Sequence, residues 1–304
     1  MKKLLITLTG CACLASGPVF AQVSAGNPLY DPFSDATGSG GTSYNTGSNL
    51  AGQTGASGQS WYDIGTGTSP QPTIGSGDLS VSGLASSGGG QSVLFGGNGD
   101  SARLNLTAGA GGITSGSVYF SFALKLTDLT GLTTAGTYWA GFNNSQGSAT
   151  TAPGTIVTRV MTRKTTGGYN IGLQEGSSGS TFNTAWGSTV FTTSDTLFLV
   201  GSYTFNPATG DDISQLWIDP NASTFGDASA PTADLSSSGG VDIARIASFL
   251  IFDRSAAEPA GGQLDDLRVG LDWADVTPAA TPEPSTMALG ALALGGFYLL
   301  RRNK

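Results

Sequence analysis

The sequence predicts an all-β fold: a two-sheet antiparallel sandwich of the jelly-roll type, between a leader and a C-terminal tail. Three observations carry this prediction. Ten or more short runs rich in Val, Ile, Phe, Tyr and Thr recur along the chain, separated by Gly-rich turns such as SSGGGQ and GGNGDS. No stretch of the central chain sustains a 3.6-residue apolar period. The run SVYFSFALKLT at residues 117–127 alternates strictly, with Val118, Phe120, Phe122, Leu124 and Leu126 on one face and Ser121, Lys125 and Thr127 on the other.

The chain begins MKKLLITLTGCACLASGPVFAQ. Two lysines, an apolar middle, and Val19 and Ala21 before a cut at Gln22 have the form of a secretory signal peptide over residues 1–21. A sandwich domain is expected over residues 22–278, and a linker and tail over 279–304. Both cysteines, Cys11 and Cys13, lie in the leader, and the sequence contains no histidine. Cys/His zinc sites, Ser-His-Asp or Cys-His catalysis and disulfide staples are therefore excluded from the exported part.

The whole chain carries a net charge of −8. Lys2, Lys3, Arg301, Arg302 and Lys304 stand in the two terminal segments, so the part between them is more acidic still. Such a surface repels nucleic acid and anionic lipid, and it suits calcium or neutral polymers.

Residues 30–62 are dense in Gly, Ser, Thr and Asn, with Tyr30, Phe33, Tyr44, Trp61 and Tyr62 spaced among them. They read as long loops pinned by aromatic plugs, with one short strand among them. Strands are then expected at LSVSGL from 79, SVLF, ARLNL, 117–127, TYWAGF, TIVTRVMTRK, YNIGLQ, 196–205, 213–219, 244–253 and 263–270. The pair 196–205 and 213–219 reads as a hairpin across NPATGDD. On 117–127, burying five large side chains contributes about 1.5–3 kcal/mol each before entropy is charged. A one-residue slip would expose the whole set, which fixes the register.

The tail reads ATPEPSTMALGALALGGFYLLRRNK. A Pro282-Glu283-Pro284 triplet precedes a 15-residue apolar run (286–300) and a basic end (301–304) with Arg301 and Arg302. As a helix, a run of that length reaches about 22 Å, short of a ~30 Å hydrocarbon core, which makes a poor permanent anchor. The cations would hold it on the inner side. These residues resemble the PEP-CTERM sorting signal of exported bacterial proteins. The resemblance implies recognition by the membrane enzyme exosortase, cleavage near the triplet, and a final place in the envelope or extracellular matrix. The run LDDLRVGLDWADVTP, after YTFNPATGDDISQLWIDPNAS, is similar to the closing part of laminin-G-like, concanavalin-A-like sandwich domains. That likeness implies a concanavalin-like sandwich, with which no particular function travels.

Three chemistries are weighed for the domain. Calcium takes six to eight oxygens and accepts loop carboxylates. Its candidate ligands are Asp211 and Asp212 in the hairpin loop, Asp219 at its far end, and Asp265 and Asp266 entering the last strand. Turn-capping, or pairing with Arg245, Arg254 or Arg268, is the competing and preferred reading of these acids. For carbohydrate, Trp139 and Trp186, with Gly141 and Gly187 following them and Asn143 nearby, are the pair of tryptophans more open to exposure than the rest, although burial is preferred for both. Trp217 reads as core, and Trp273 as packed beside the closing strand. Hydrolysis needs a carboxylate pair about 5–9 Å apart, and nothing ties Glu175 or Glu258 to that geometry. The reading is thus a non-enzymatic, structural or lectin-like surface protein, with a polysaccharide-active hydrolase as the alternative.

Overall fold

The computed structural model describes residues 23–24, 26–34, 44–55, 58–65, 70–85, 90–106, 111–147, 152–176, 184–253 and 255–280. Over these the protein is a two-sheet antiparallel sandwich. The leader, the Pro282–Pro284 triplet, the apolar run and its expected helix, and Arg254 lie outside the described residues. No helix among the described residues is long and apolar enough to cross a membrane.

The first sheet contains β1 (Leu29–Asp31), β3 (Thr73–Ser76), β4 (Gln91–Phe95), β6 (Gly116–Asp128), β11 (Leu197–Phe205), β12 (Ile213–Ile218), β13 (Leu235–Ser238) and β15 (Gly261–Gly270). Their order is β13-β12-β11-β6-β15-β4-β3, and β1 also pairs with β15. The second sheet contains β2 (Trp61–Ile64), β5 (Ser101–Asn105), β7 (Thr137–Asn143), β8 (Ile156–Thr165), β9 (Gly168–Gln174), β10 (Ala185–Trp186) and β14 (Ser248–Ile251), in the order β10-β9-β8-β7-β14-β5-β2. The expected 196–219 hairpin is β11–β12, in register from Leu199↔Ile218 to Thr204↔Ile213.

The core forms where the alternating faces meet. Val118, Phe120, Phe122, Leu124 and Leu126 of β6 are fully buried, as their spacing requires. Phe120 packs edge-on to Phe142 with ring centroids 5.1 Å apart, and Phe122 packs edge-on to Trp139 at 5.7 Å, so the two sheets interlock through aromatic rings. Trp217 and Trp273 are buried as expected, but in a second, smaller cluster on the outer face of the first sheet. There the short helix α1 (Trp273–Val276) covers β6, and Ser121 donates to the Val276 carbonyl at 2.6 Å.

Two strand expectations need correction. Residues 79–84 form no strand: Leu79 donates its N–H to Asp265, Leu84 forms an isolated bridge with Ala279, and Gly83 has a left-handed φ of 82°. The segment is a strap over the outer apolar cluster, and its apolar spacing reflects that burial. Only Ser248–Ile251 of the 244–253 run is a strand, while Ile246 exchanges a backbone pair with Ile113.

The N-terminal loops are held by their aromatics, as read, but two short strands, β1 and β2, bound the stretch where one was expected. Asp31 is buried, and its Oδ2 accepts from Tyr44 Oη at 2.6 Å and Trp61 Nε1 at 2.8 Å, tying three distant loop positions together.

Candidate functional site

Trp139 and Asn143 are not surface groups: burial, the reading preferred for Trp139, holds, and the carbohydrate-binding role assigned to these two positions is corrected. In β7 the alternation turns Tyr138 outward and Trp139 inward, where it stacks on Phe95 with centroids 4.8 Å apart. Asn143 is fully buried. Its Nδ2 donates to the Thr155 carbonyl at 3.0 Å, and its Oδ1 accepts from Ser145 N at 3.0 Å and Ser145 Oγ at 2.6 Å, which closes the β7–β8 loop.

Trp186 is different. It lies half-buried on the edge strand β10, opposite Gly172 of β9. A Cβ on Gly172 would come within 2.5 Å of the indole, and one on Gly136 within 2.6 Å, so the ring lies close over bare backbone at both positions. The Arg163 guanidinium stands 4.5 Å from the ring centroid and holds it in place. Beside it is a cleft of about 460 Å³ between the edge strands of the two sheets, lined by Trp186, Gly187, Phe191, Ile218, Asp219 and Asp234 among others. Both carboxylates are on the rim and partly engaged. Asp219 Oδ1 accepts from Phe198 N at 2.6 Å, and Asp234 Oδ2 accepts from Ile218 N at 2.7 Å. Burial, opposed by the Phe198 N–H and helped by the charges of Asp195 and Asp234, moves the Asp219 carboxyl above its ordinary range. An aromatic wall, small residues and two fixed acceptors make a polar-edged groove of sugar-ring size.

The five aspartates proposed as calcium ligands do not converge. Asp265 and Asp266 are fully buried at an irregularity of β15, where its register against β6 shifts. Asp265 accepts from Leu79 N at 2.9 Å and Asp266 N at 2.7 Å. Asp266 accepts from Tyr30 Oη at 2.6 Å and pairs with Arg268 at 3.7 Å. These two are structural acids, one of them in the arginine pairing that sequence reading preferred. Asp219 belongs to the cleft rim, at the other end of β12 from the hairpin loop.

Asp211 and Asp212 do have company. Asp242, which follows β13, joins them, and one carboxylate oxygen from each of the three lies within 4.8 Å of the others. The charges of Asp212 and Asp242 also reach Glu175, at the end of β9 and 2% exposed. Burial is the main cause that pushes the Glu175 carboxyl up to about 7, with Asp212 and Asp242 adding to it and the Gly240 N–H opposing it. Sequence reading missed Asp242 and assigned no metal role to Glu175. They stand about 30 and 35 residues from the loop, and only the β-sheet pairing brings them to it.

A two-sheet antiparallel sandwich with a cleft at its paired edges is therefore what the fold and its sites define. More particular is the tail: residues 280–302 match the PEP-CTERM protein-sorting motif. Comparison with functionally characterised proteins by sequence gives no match. Among solved structures, the endo-β-1,4-glucuronan lyase of the fungus Trichoderma reesei aligns at 10% identity and TM-score 0.41, over 72% of this chain and 98% of the lyase. The receptor binding domain of botulinum neurotoxin D aligns at 12% identity and TM-score 0.40, over 75% of this chain and 47% of that one. The globular domain of T. cruzi calreticulin aligns at 10% identity and TM-score 0.40, over 70% and 84% respectively. None of their activities passes to this chain on likenesses of that size.

Proposed function

We propose that this is an exported bacterial protein, delivered by a signal peptide and processed by an exosortase-type enzyme at Pro282–Pro284, whose concanavalin-like sandwich serves the cell surface or extracellular matrix by binding polysaccharide without catalysis. The observation that carries the delivery is the sorting motif at 280–302. The described part of the sandwich runs up to the start of that motif: α1 ends at Val276, Ala85 N donates to the Pro278 carbonyl at 2.9 Å, and Ala280 N donates to the Gly83 carbonyl at 2.8 Å. Cleavage near the triplet would leave every described residue of the sandwich in place. Before cleavage, Arg301 and Arg302 hold the tail inside the inner membrane.

Binding of polysaccharide is supported by the cleft beside Trp186, where an aromatic wall and two rim carboxylates offer apolar contact and hydrogen bonds to sugar hydroxyls. A non-catalytic role fits the absence of histidine from the sequence. It fits equally the burial of both glutamates of the domain, Glu175 and Glu258, at 2% and 1% exposure. The test is a glycan array and a pull-down with matrix polysaccharide of the producing cells. Retention that falls at least tenfold in Trp186→Ala supports the reading. Equal retention by Trp186→Ala removes the cleft from the account, and release of reducing ends would replace binding by hydrolysis.

A further inference from the structure

The cations of this acidic chain are not spread evenly. In the second sheet, β5, β7, β8, β9, β10 and β14 carry Arg103, Arg159, Arg163 and Lys164 and no acid, and only β2 adds one, Asp63. The strands of the first sheet carry Asp31, Asp128, Asp265 and Asp266 against Lys125 and Arg268. Arg163 and Lys164 fall together near the end of β8, where the chain turns back into β9. With Thr134, Thr165 and Thr166 they line an open cavity of about 500 Å³, a lining without a carboxylate.

This cavity adjoins the cleft through Arg163. Its guanidinium lies 4.5 Å from the Trp186 ring centroid, and its Nε donates to Asn170 Oδ1 at 3.2 Å. Asn170 Nδ2 in turn donates at 2.7 Å to the carbonyl of Thr189, which lines the cleft. The Thr134 side is pinned as well, since Lys164 N and Gly136 N both donate to the Thr133 carbonyl, at 2.8 and 3.2 Å. The indole takes one face of the guanidinium, but the N–H donors lie in its plane and point outward from its edge. Among the described residues the two terminal nitrogens of Arg163 have no acceptor, and neither Arg163 nor Lys164 pairs with a carboxylate.

We propose that this cavity is a carboxylate subsite of the cleft, so that the polysaccharide held there is an acidic one containing uronate residues, an assignment that rests on polysaccharide binding by the cleft. The edge of a planar guanidinium matches a carboxylate with two parallel hydrogen bonds, and the Lys164 ammonium supplies a second charge on a flexible stem. The net charge of −8 does not forbid this. The field of distant aspartates decays over a Debye length of about 8–10 Å, while a bound carboxylate meets Arg163 and Lys164 in contact. Asp219 and Asp234 line the cleft and not the cavity, and there they offer acceptors to sugar hydroxyls. A polymer laid across both would place a charged group on the cations and neutral hydroxyls at the aspartates. The charge of the whole chain, which suits neutral polymers, is thus the wrong scale for this ligand.

The experiment is calorimetric titration of the purified full chain, in detergent and EDTA, with polygalacturonate and with alginate, each beside its carboxyl-reduced, neutral form. The acidic form of at least one polymer is expected to bind at least tenfold more tightly than its neutral form, with the difference shrinking between about 50 mM and about 500 mM salt. Lys164→Glu, a change at an exposed side chain, should melt like the parent and cut that acidic-over-neutral preference at least tenfold. Should that variant fail to fold, Arg163→Gln takes its place. Trp186→Ala should weaken the binding of both forms, because they share the cleft. Equal affinity for the two forms, or a preference that survives in the folded variant, would overturn the subsite while leaving the cleft reading in place if binding still depends on Trp186. No binding of either acidic polymer would overturn the subsite as well.

Discussion

Two tryptophans that look alike in sequence illustrate what single residues decide. Trp139 and Trp186 each have a glycine within two residues, yet one is a fully buried core ring and the other a half-exposed cleft wall. Trp139→Ala is expected to cost about 3–5 kcal/mol, measured by urea denaturation. Trp186→Ala should cost much less and should act on glycan retention instead. Local sequence could not separate them, because the difference lies in which face of β7 or β10 each occupies, and β10 is a two-residue strand. Asp253 offers a pH test at the same scale. It is 3% exposed, and burial pushes its carboxyl up to about 7 even though the Gly96 N–H opposes the rise. Below about pH 4 it is protonated folded or unfolded, and its contribution to stability is complete. As pH rises from about 4 to 7 the unfolded chain ionises first and stability falls, by up to about 1.4 kcal/mol per pH unit. Asp265, held up to about 9 chiefly by burial, extends the loss in the same direction. Denaturant midpoints at pH 5 and 7.5 should therefore fall with pH in the parent and fall less in Asp253→Asn, whose Oδ1 can still accept from Gly96. A parent whose stability rises over that window would contradict the assignment.

Within the elements, β-alternation was legible wherever one face met the core. Residues 117–127 declare β6 because five large apolar side chains must all point inward, and all five are fully buried. The glycines opposite them were not legible. Gly201 of β11 faces Phe120 of β6, and a Cβ there would lie 2.2 Å from the ring tip; Gly262 of β15 faces Phe95 of β4 at 2.3 Å. Each ring lies over the bare backbone of the next strand, a cross-strand fit that exists only once the register is set. Gly201→Ala is expected to lower stability by about 1–3 kcal/mol in thermal or urea unfolding, since the packed core cannot yield that distance cheaply. The strap at 79–84 escaped sequence reading for a related reason. Its apolar residues cover the outer face of a sheet without pairing into it, and burial alone looks the same in either case.

For the whole molecule, the class of fold and the address at the C-terminus could be read from sequence, while the sites could not be assembled. Asp211 and Asp212 were in view, but Asp242 and Glu175 reach them only through the β11–β12–β13 and β9 pairing. The cleft exists because β10 and β13, the last strands of their sheets, lie side by side. Both features sit on a sandwich whose described residues run to Ala280, where the sorting motif starts. On the proposed reading the sandwich is cargo and the tail a detachable address. The most direct test is the intact mass and C-terminal sequence of the protein recovered from the producing cells. The account predicts a product without residues 1–21 that ends near Pro282–Pro284. A recovered chain that still carries Arg301–Lys304 would contradict it.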